Sequence, residues 1–223
     1  MFLEVIATSV DDCLTLNEQA KIIDRIELCV NLKKGGFTPT MELVEDCLKI
    51  SKIPINIMLR TTKHFTLKDS ELDELKGIVK YIKQNFAHLK AFNGFVFGAI
   101  NNDKKLNIDA MKEMVQLVLP YQLVCHRCFE KVINKDKAIV ELEKMGVKEI
   151  LYSAITVEEI SKIKSLPSKK VQFLIGGGVN FTNKVFLLKN NLKRLHIGSC
   201  IRHKDKWSEP INGDKIQEFV DLK

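Results

Sequence analysis

Eight short runs rich in β-branched and aromatic residues recur along this chain, and each is followed by a longer stretch whose apolar positions repeat every 3.6 residues. The runs are FLEVI (2–6), DRIEL (24–28), PINIMLR (54–60), GFVFGAI (94–100), QLVCH (122–126), EILYS (149–153), VQFLI (171–175) and RLHI (194–197). Strands that alternate with helix-length segments pair in parallel, because each crossover helix returns the chain to the same edge. Eight such units in 223 residues match the count and length of a (β/α)8 TIM barrel, so one domain over residues 1–223 is expected, with a shortened loop after the last strand. A doubly wound open sheet usually opens on a Gly-rich turn, whereas the segment ATSVDD after the first run contains no Gly.

Helix starts are signalled by Asp11 or Asp12, Thr40, Asp69, Asn107 or Asp109, Asn134, Thr156, and Asn180 or Thr182 as N-caps. Gly146 marks a C-terminal stop before the sixth strand, and a final helix is expected over about residues 213–222.

Composition narrows the function. No apolar run approaches the ~18 residues that span a bilayer, and MFLEVIATSVDD lacks a basic leader and carries Glu4 within its apolar stretch, so no membrane association and a cytoplasmic location are expected. The six Cys are dispersed in a chain large enough to need no disulfides, which predicts reduced thiols. The net charge of +7 is spread without a basic cluster or interleaved aromatics, so no nucleic-acid partner is expected, and the charge favours small anions.

On a barrel the chemistry sits at the C-terminal ends of the strands. Side-chain alternation sends Ile26 and Leu28 toward the helices and therefore Arg25, Glu27 and Cys29 inward. The same parity places Glu4, Asn56, Met58, Arg60, Gln122, Val124, His126, Arg194 and His196 inside. Unpaired buried charge is costly, so Glu4, Arg25, Glu27, Arg60 and Arg194 must pair with one another or with a ligand. Among these five the cations exceed the carboxylates, which an anionic ligand would balance; a self-satisfied ion network is the alternative. Gly176, Gly177 and Gly178 after the seventh strand, with Ser199 after the eighth, read as a phosphate cradle or as turns that need left-handed backbone.

Glu27, Arg60 and His126 are the candidate catalytic set: a carboxylate for proton transfer, a guanidinium to hold an anion and an imidazole. Glu4, Arg25, Arg127, the three glycines, His196 and Ser199 are candidate ligand-binding residues, for a small phosphorylated or carboxylated metabolite. In VCHRCFE (124–130), Cys125 points to the helix layer while Cys128 lies in the following loop, so the two thiols are expected to diverge and to be structural.

In chain order, LEV, DRIELC, GGFTPT, MLR, FVFGAI, HRCFE, GGGV and LHIGS resemble the landmarks of the CutC copper homeostasis family across nearly the whole sequence. The resemblance implies a TIM barrel, a homo-oligomer and a cytoplasmic role in copper handling, and it carries over Glu4, Arg25, Glu27, Cys29, Arg60, His126, Arg127 and His196. It makes copper(I) the expected cofactor and Cys29 the metal ligand, since Cu(I) prefers thiolate and thioether donors. The chain departs from the family pattern where Val5, Ile6 and Ala7 follow Glu4 and where RTTKHF replaces a Gly-containing loop.

Overall fold

The computed structural model describes residues 1–168 and 170–222. Eight parallel strands close into a barrel in sequential order: β1 (Phe2–Ala7), β2 (Arg25–Leu28), β3 (Ile55–Met58), β4 (Phe92–Phe97), β5 (Gln122–Cys125), β6 (Glu149–Ser153), β7 (Gln172–Gly176) and β8 (Arg194–Ile197). Around them lie α1 (Val10–Glu18), α2 (Met41–Ile50), α3 (Asp69–Phe86), α4 (Ile108–Val118), α5 (Lys135–Met145), α6 (Val157–Lys164), α7 (Phe181–Lys189) and α8 (Gly213–Asp221). This is the TIM barrel.

Local chemistry sets the helix ends. Thr40, Asn107, Asn134, Thr156, Asn180 and Asn212 each accept a hydrogen bond from a first-turn N–H. Two expected caps are corrected. Ser9, not Asp11 or Asp12, caps α1 by accepting from the Asp12 N–H at 3.1 Å, which frees the Asp12 carboxylate to pair with Arg202. Asp69 is the first residue of α3 rather than its cap, with Glu71 accepting from the Lys68 N–H at 2.8 Å. Gly146 ends α5 at φ +90°, a conformation that favours glycine.

Two apolar layers follow from side-chain alternation. Outward residues such as Leu3, Val5, Ile26, Leu28, Ile55 and Ile57 join the helices in the main core. Ile6, Cys29, Met58, Val96, Val124, Leu151 and Leu174 form a separate, smaller cluster inside the barrel. Beneath it lies an ionic layer. Arg25 pairs with Glu4 and Glu149, Arg194 pairs with Glu149, and the Phe2 ring lies 3.7 Å from the Arg194 guanidinium carbon.

That layer corrects the charge surplus expected from five interior residues. Glu149 is a third interior carboxylate, and with it the buried cations and anions balance in number. They do not balance in space. Glu4, Arg25, Glu149 and Arg194 neutralise one another at the N-terminal end, whereas Glu27 and Arg60 form no ion pair among the described residues.

Candidate functional site

The C-terminal ends of the strands surround a cavity of about 520 Å³. Glu27, Met58, Leu151, Ile6 and His196 form its floor and lower wall, and Arg60 and His126 rise above them. The rim is made by the turn Leu32–Gly35, by Phe65, by Arg127, Glu130 and Lys131, by Gly177–Val179, and by Gly198, Ser199 and Trp207.

The floor is an acid–imidazole pair backed by the ionic layer. Glu4 accepts from Arg25 through Oε2 and meets His196 Nδ1 at 2.7 Å through Oε1, so both of its oxygens are engaged. Burial acts to raise the Glu4 carboxyl, but Arg25 and His196 outweigh it and hold the pKa at about 2. A carboxylate on Nδ1 fixes the proton there in the neutral imidazole and leaves Nε2 as a lone-pair donor. Burial alone lowers the His196 pKa; the Glu27 charge, and then Glu4, reverse this and raise it. Glu27 is 2% exposed, and its Oε2 has no hydrogen-bond partner among the described residues. Desolvation therefore pushes the Glu27 pKa up to about 7, partly offset by His196. A carboxyl poised there holds and releases a proton at neutral pH.

Arg60 has the opposite problem. It is 6% exposed and has no carboxylate partner among the described residues; it donates to the Gly35 carbonyl at 2.9 Å and the Lys63 carbonyl at 2.6 Å, and its Nε is unpartnered there. Phe65 packs 4.6 Å from its guanidinium carbon. The interactions join the loops after β2 and β3 into one wall. A carboxyl can relieve burial by taking a proton, but a guanidinium cannot shed one. The positive charge therefore stays in the cavity wall.

His126 also packs against Phe65, with ring centroids 5.1 Å apart. Its Nδ1 accepts the Cys128 N–H at 3.2 Å, which leaves Nε2 to carry the proton of the neutral ring. Burial and then Arg60 lower its pKa to about 3. His126 thus presents an Nε2–H hydrogen-bond donor at neutral pH.

The remaining expected residues divide between wall and support. Arg127 lines the mouth, held by Glu130 at 2.8 and 3.2 Å, while Glu130 also accepts the Ser153 N–H at 2.9 Å. Gly177 (φ +65°), Gly178 (φ +122°) and Ser199 line the rim. Gly176 lies behind it, where a side chain would meet His196 Cδ2 at 2.9 Å. Glu4 and Arg25 sit below the floor. Cys29 is fully buried and outside the lining, and burial, followed by the nearby Glu27 charge, raises its thiol pKa well above the usual range.

The expected divergence of Cys125 and Cys128 is corrected. Their Sγ atoms approach to 4.0 Å, because the 3-10 turn Arg127–Lys131 winds Cys128 back over the end of β5. Both are fully buried in the outer core, away from the cavity.

Lys33, Lys34, Phe65, Lys131 and Trp207 are lining residues that sequence reasoning did not identify. Only Trp207 carried a signal, as the sole Trp of the chain. Glu149 was recoverable: the outward Ile150 and Tyr152 of EILYS imply an inward Glu149.

Comparison with known proteins gives a consistent result. The model of the CutC family matches residues 1–201. A CutC family protein from Vibrio cholerae is 26% identical over 185 residues, covering 78% of this chain and 71% of the relative. A human copper homeostasis protein cutC homolog is 26% identical over 196 residues, covering 85% of this chain and 69% of the relative. A crystal structure of a CutC protein from Streptococcus agalactiae superposes with a TM-score of 0.76 at 22% identity, covering 89% of this chain and 98% of that one.

Proposed function

The chain belongs to the CutC family, and from that premise we propose that it is a barrel enzyme acting on a small phosphorylated or carboxylated metabolite bound at the C-terminal mouth. Arg60 and His126 hold the anion, and Glu27 exchanges a proton with the substrate. The observation that carries this reading is the Arg60 guanidinium, buried in the cavity wall with no carboxylate partner among the described residues and with Nε unpartnered. An anion there compensates a charge that the fold leaves unbalanced.

The roles follow from tautomer and protonation state. His126 is neutral with its proton on Nε2, so it donates to an oxyanion without competing for the proton being moved. Glu27, held near 7 by burial, exists in both forms at neutral pH, as a general acid or base requires. Glu4 and Arg25 act from below by orienting His196. Lys33, Lys34 and Lys131 extend the positive charge across the mouth and favour entry of anions. We also propose, as the sequence resemblance implies, that the protein is cytoplasmic and homo-oligomeric.

Copper, named in the human relative, fits this cavity poorly. Among the described residues, the cluster of donors close enough to share an ion is Glu4, Glu27 and His196, with ligand atoms within 4.8 Å, and Glu4 is already engaged by Arg25 and His196. Oxygen and imidazole suit harder cations than Cu(I). Cys29 and Met58 lie near each other around Gly36, but the thiol is fully buried and Cys29 does not line the cavity.

The anion reading is tested by thermal shift with inorganic phosphate and glycerol 3-phosphate. Wild type should gain stability with ligand, and Arg60→Met and His126→Phe should each lose that gain while remaining folded. An equal ligand shift in both variants removes the assignment.

A further inference from the structure

We infer that Trp207 is a stacking platform for the ring of a cyclic sugar phosphate whose anionic group lies across the cavity; the inference rests on the reading that Arg60 and His126 hold an anion.

Trp207 is the only Trp in the chain, lines the cavity and lies beyond residues 1–201, the part that matches the family. Several contacts fix its position. Gly198 leaves room for the ring: a methyl there would collide with Cη2 and come within 2.8 Å of Cζ3, and would lie 3.1 Å from Ile6 Cδ1. The indole is therefore seated on the ends of β8 and β1. The Arg202 guanidinium carbon lies 5.5 Å from the indole ring. Arg202 is itself anchored through Nη2 and Nη1 to Asp12 at 2.6 and 3.2 Å, and donates to the Glu209 carbonyl at 2.9 Å. An antiparallel bridge between Arg202 and Ile211 closes the loop that carries the ring. A buried ion pair thus holds the indole at the cavity rim, an arrangement that reduces the entropy lost on binding.

Topology sets the distance to the anion donors. In a closed barrel of eight sequential strands, the β8–β1 seam faces β4 and β5. Arg60 follows β3 and His126 follows β5, so the donors and the indole occupy opposing walls, with Glu27 and His196 on the floor between them. A bare phosphate fills a small part of about 520 Å³. A ligand that reaches both walls has an anionic end and a body with an apolar face. The floor between the walls offers a carboxyl and an imidazole, which exchange hydrogen bonds with hydroxyl groups. A sugar ring has both faces required: C–H groups for the indole and hydroxyls for Glu27 and His196.

The sole Trp makes the test direct. Wild-type protein is titrated with inorganic phosphate, glycerol 3-phosphate, ribose 5-phosphate and glucose 6-phosphate, with Trp emission and thermal shift as readouts. At least one ring-bearing phosphate should bind about ten-fold tighter than glycerol 3-phosphate and change the emission. Trp207→Leu should erase that preference while leaving affinity for phosphate and glycerol 3-phosphate within about two-fold, and Trp207→Phe should retain most of it. The inference is overturned if neither sugar phosphate exceeds glycerol 3-phosphate in wild type, or if Trp207→Leu weakens every ligand alike. Either result leaves anion binding by Arg60 and His126 standing. A wild type that responds to none of the four anions overturns both.

Discussion

Replacing Glu27 with Gln should make the protein more stable at pH 8 and leave it nearly unchanged at pH 4. Glu27 is raised from 4.5 to about 7, chiefly by burial, with His196 offsetting part of the rise. In the unfolded chain the carboxyl ionises in water at the ordinary value, whereas in the fold the charged form is disfavoured. The native state therefore binds more protons between these two values, and stability falls as pH rises from 4.5 through 7. At roughly 1.4 kcal/mol for each tenfold change in proton affinity, the loss above pH 7 comes to about 3 kcal/mol. Gln keeps the shape, carries no charge and escapes this loss.

Urea unfolding from pH 4 to pH 8, with wild type and variant compared at each pH, measures the difference directly. Two neighbouring groups largely cancel in that comparison. His126, lowered to about 3, costs stability as pH falls below 6.5, because the unfolded imidazole takes a proton that the native one refuses. Glu4, lowered to about 2, contributes stability above 4.5 that is lost as pH falls through about 2. His196 is raised chiefly by the Glu27 charge, so the difference curve belongs to the Glu27–His196 pair rather than to one residue. Parallel curves for the two proteins across the range would refute the reasoning, since they would mean that Glu27 ionises in the fold at no cost.

Other perturbations separate support from site. Glu149→Gln removes the shared carboxylate of Arg25 and Arg194 and should cost about 3–5 kcal/mol, read as a lower urea midpoint, without affecting phosphate affinity in the protein that remains folded. An anaerobic Cu(I) titration against a competing chelator should find the same affinity for wild type and Cys29→Ser; a clear weakening in the variant would return copper to this thiol. Gly198→Ala should displace the indole and shift the emission of Trp207 toward that of exposed Trp, and an unchanged spectrum would show that the ring is not seated as described.

The barrel was legible because period and count are local properties. Each run such as FLEVI or EILYS carries its own alternation, and the segments between them carry the 3.6-residue repeat. Boundaries were less legible: GFVFGAI was expected over 94–100, but β4 runs from Phe92 to Phe97, with a register shift in its pairing with β3. The same parity that placed Glu27, Arg60 and His126 inside also contained Glu149, and overlooking that residue turned a balanced interior into an apparent surplus of cations. What parity does not carry is the path of the loops. Arg60 is positioned by the carbonyls of Gly35 and Lys63, Cys128 is returned toward Cys125 by a 3-10 turn, and Trp207 reaches the cavity because Arg202 is anchored to Asp12 across the fold. These are long-range or turn-dependent contacts with no periodic signature.

The central claim is that an anion occupies the wall beside Arg60 and His126. A crystal structure of the wild-type protein grown with glycerol 3-phosphate tests it most directly. Phosphate oxygens should lie at about 2.7–3.0 Å from His126 Nε2, with the Arg60 guanidinium beside them. Phosphate bound elsewhere, or none in the cavity at saturating concentration, would contradict it.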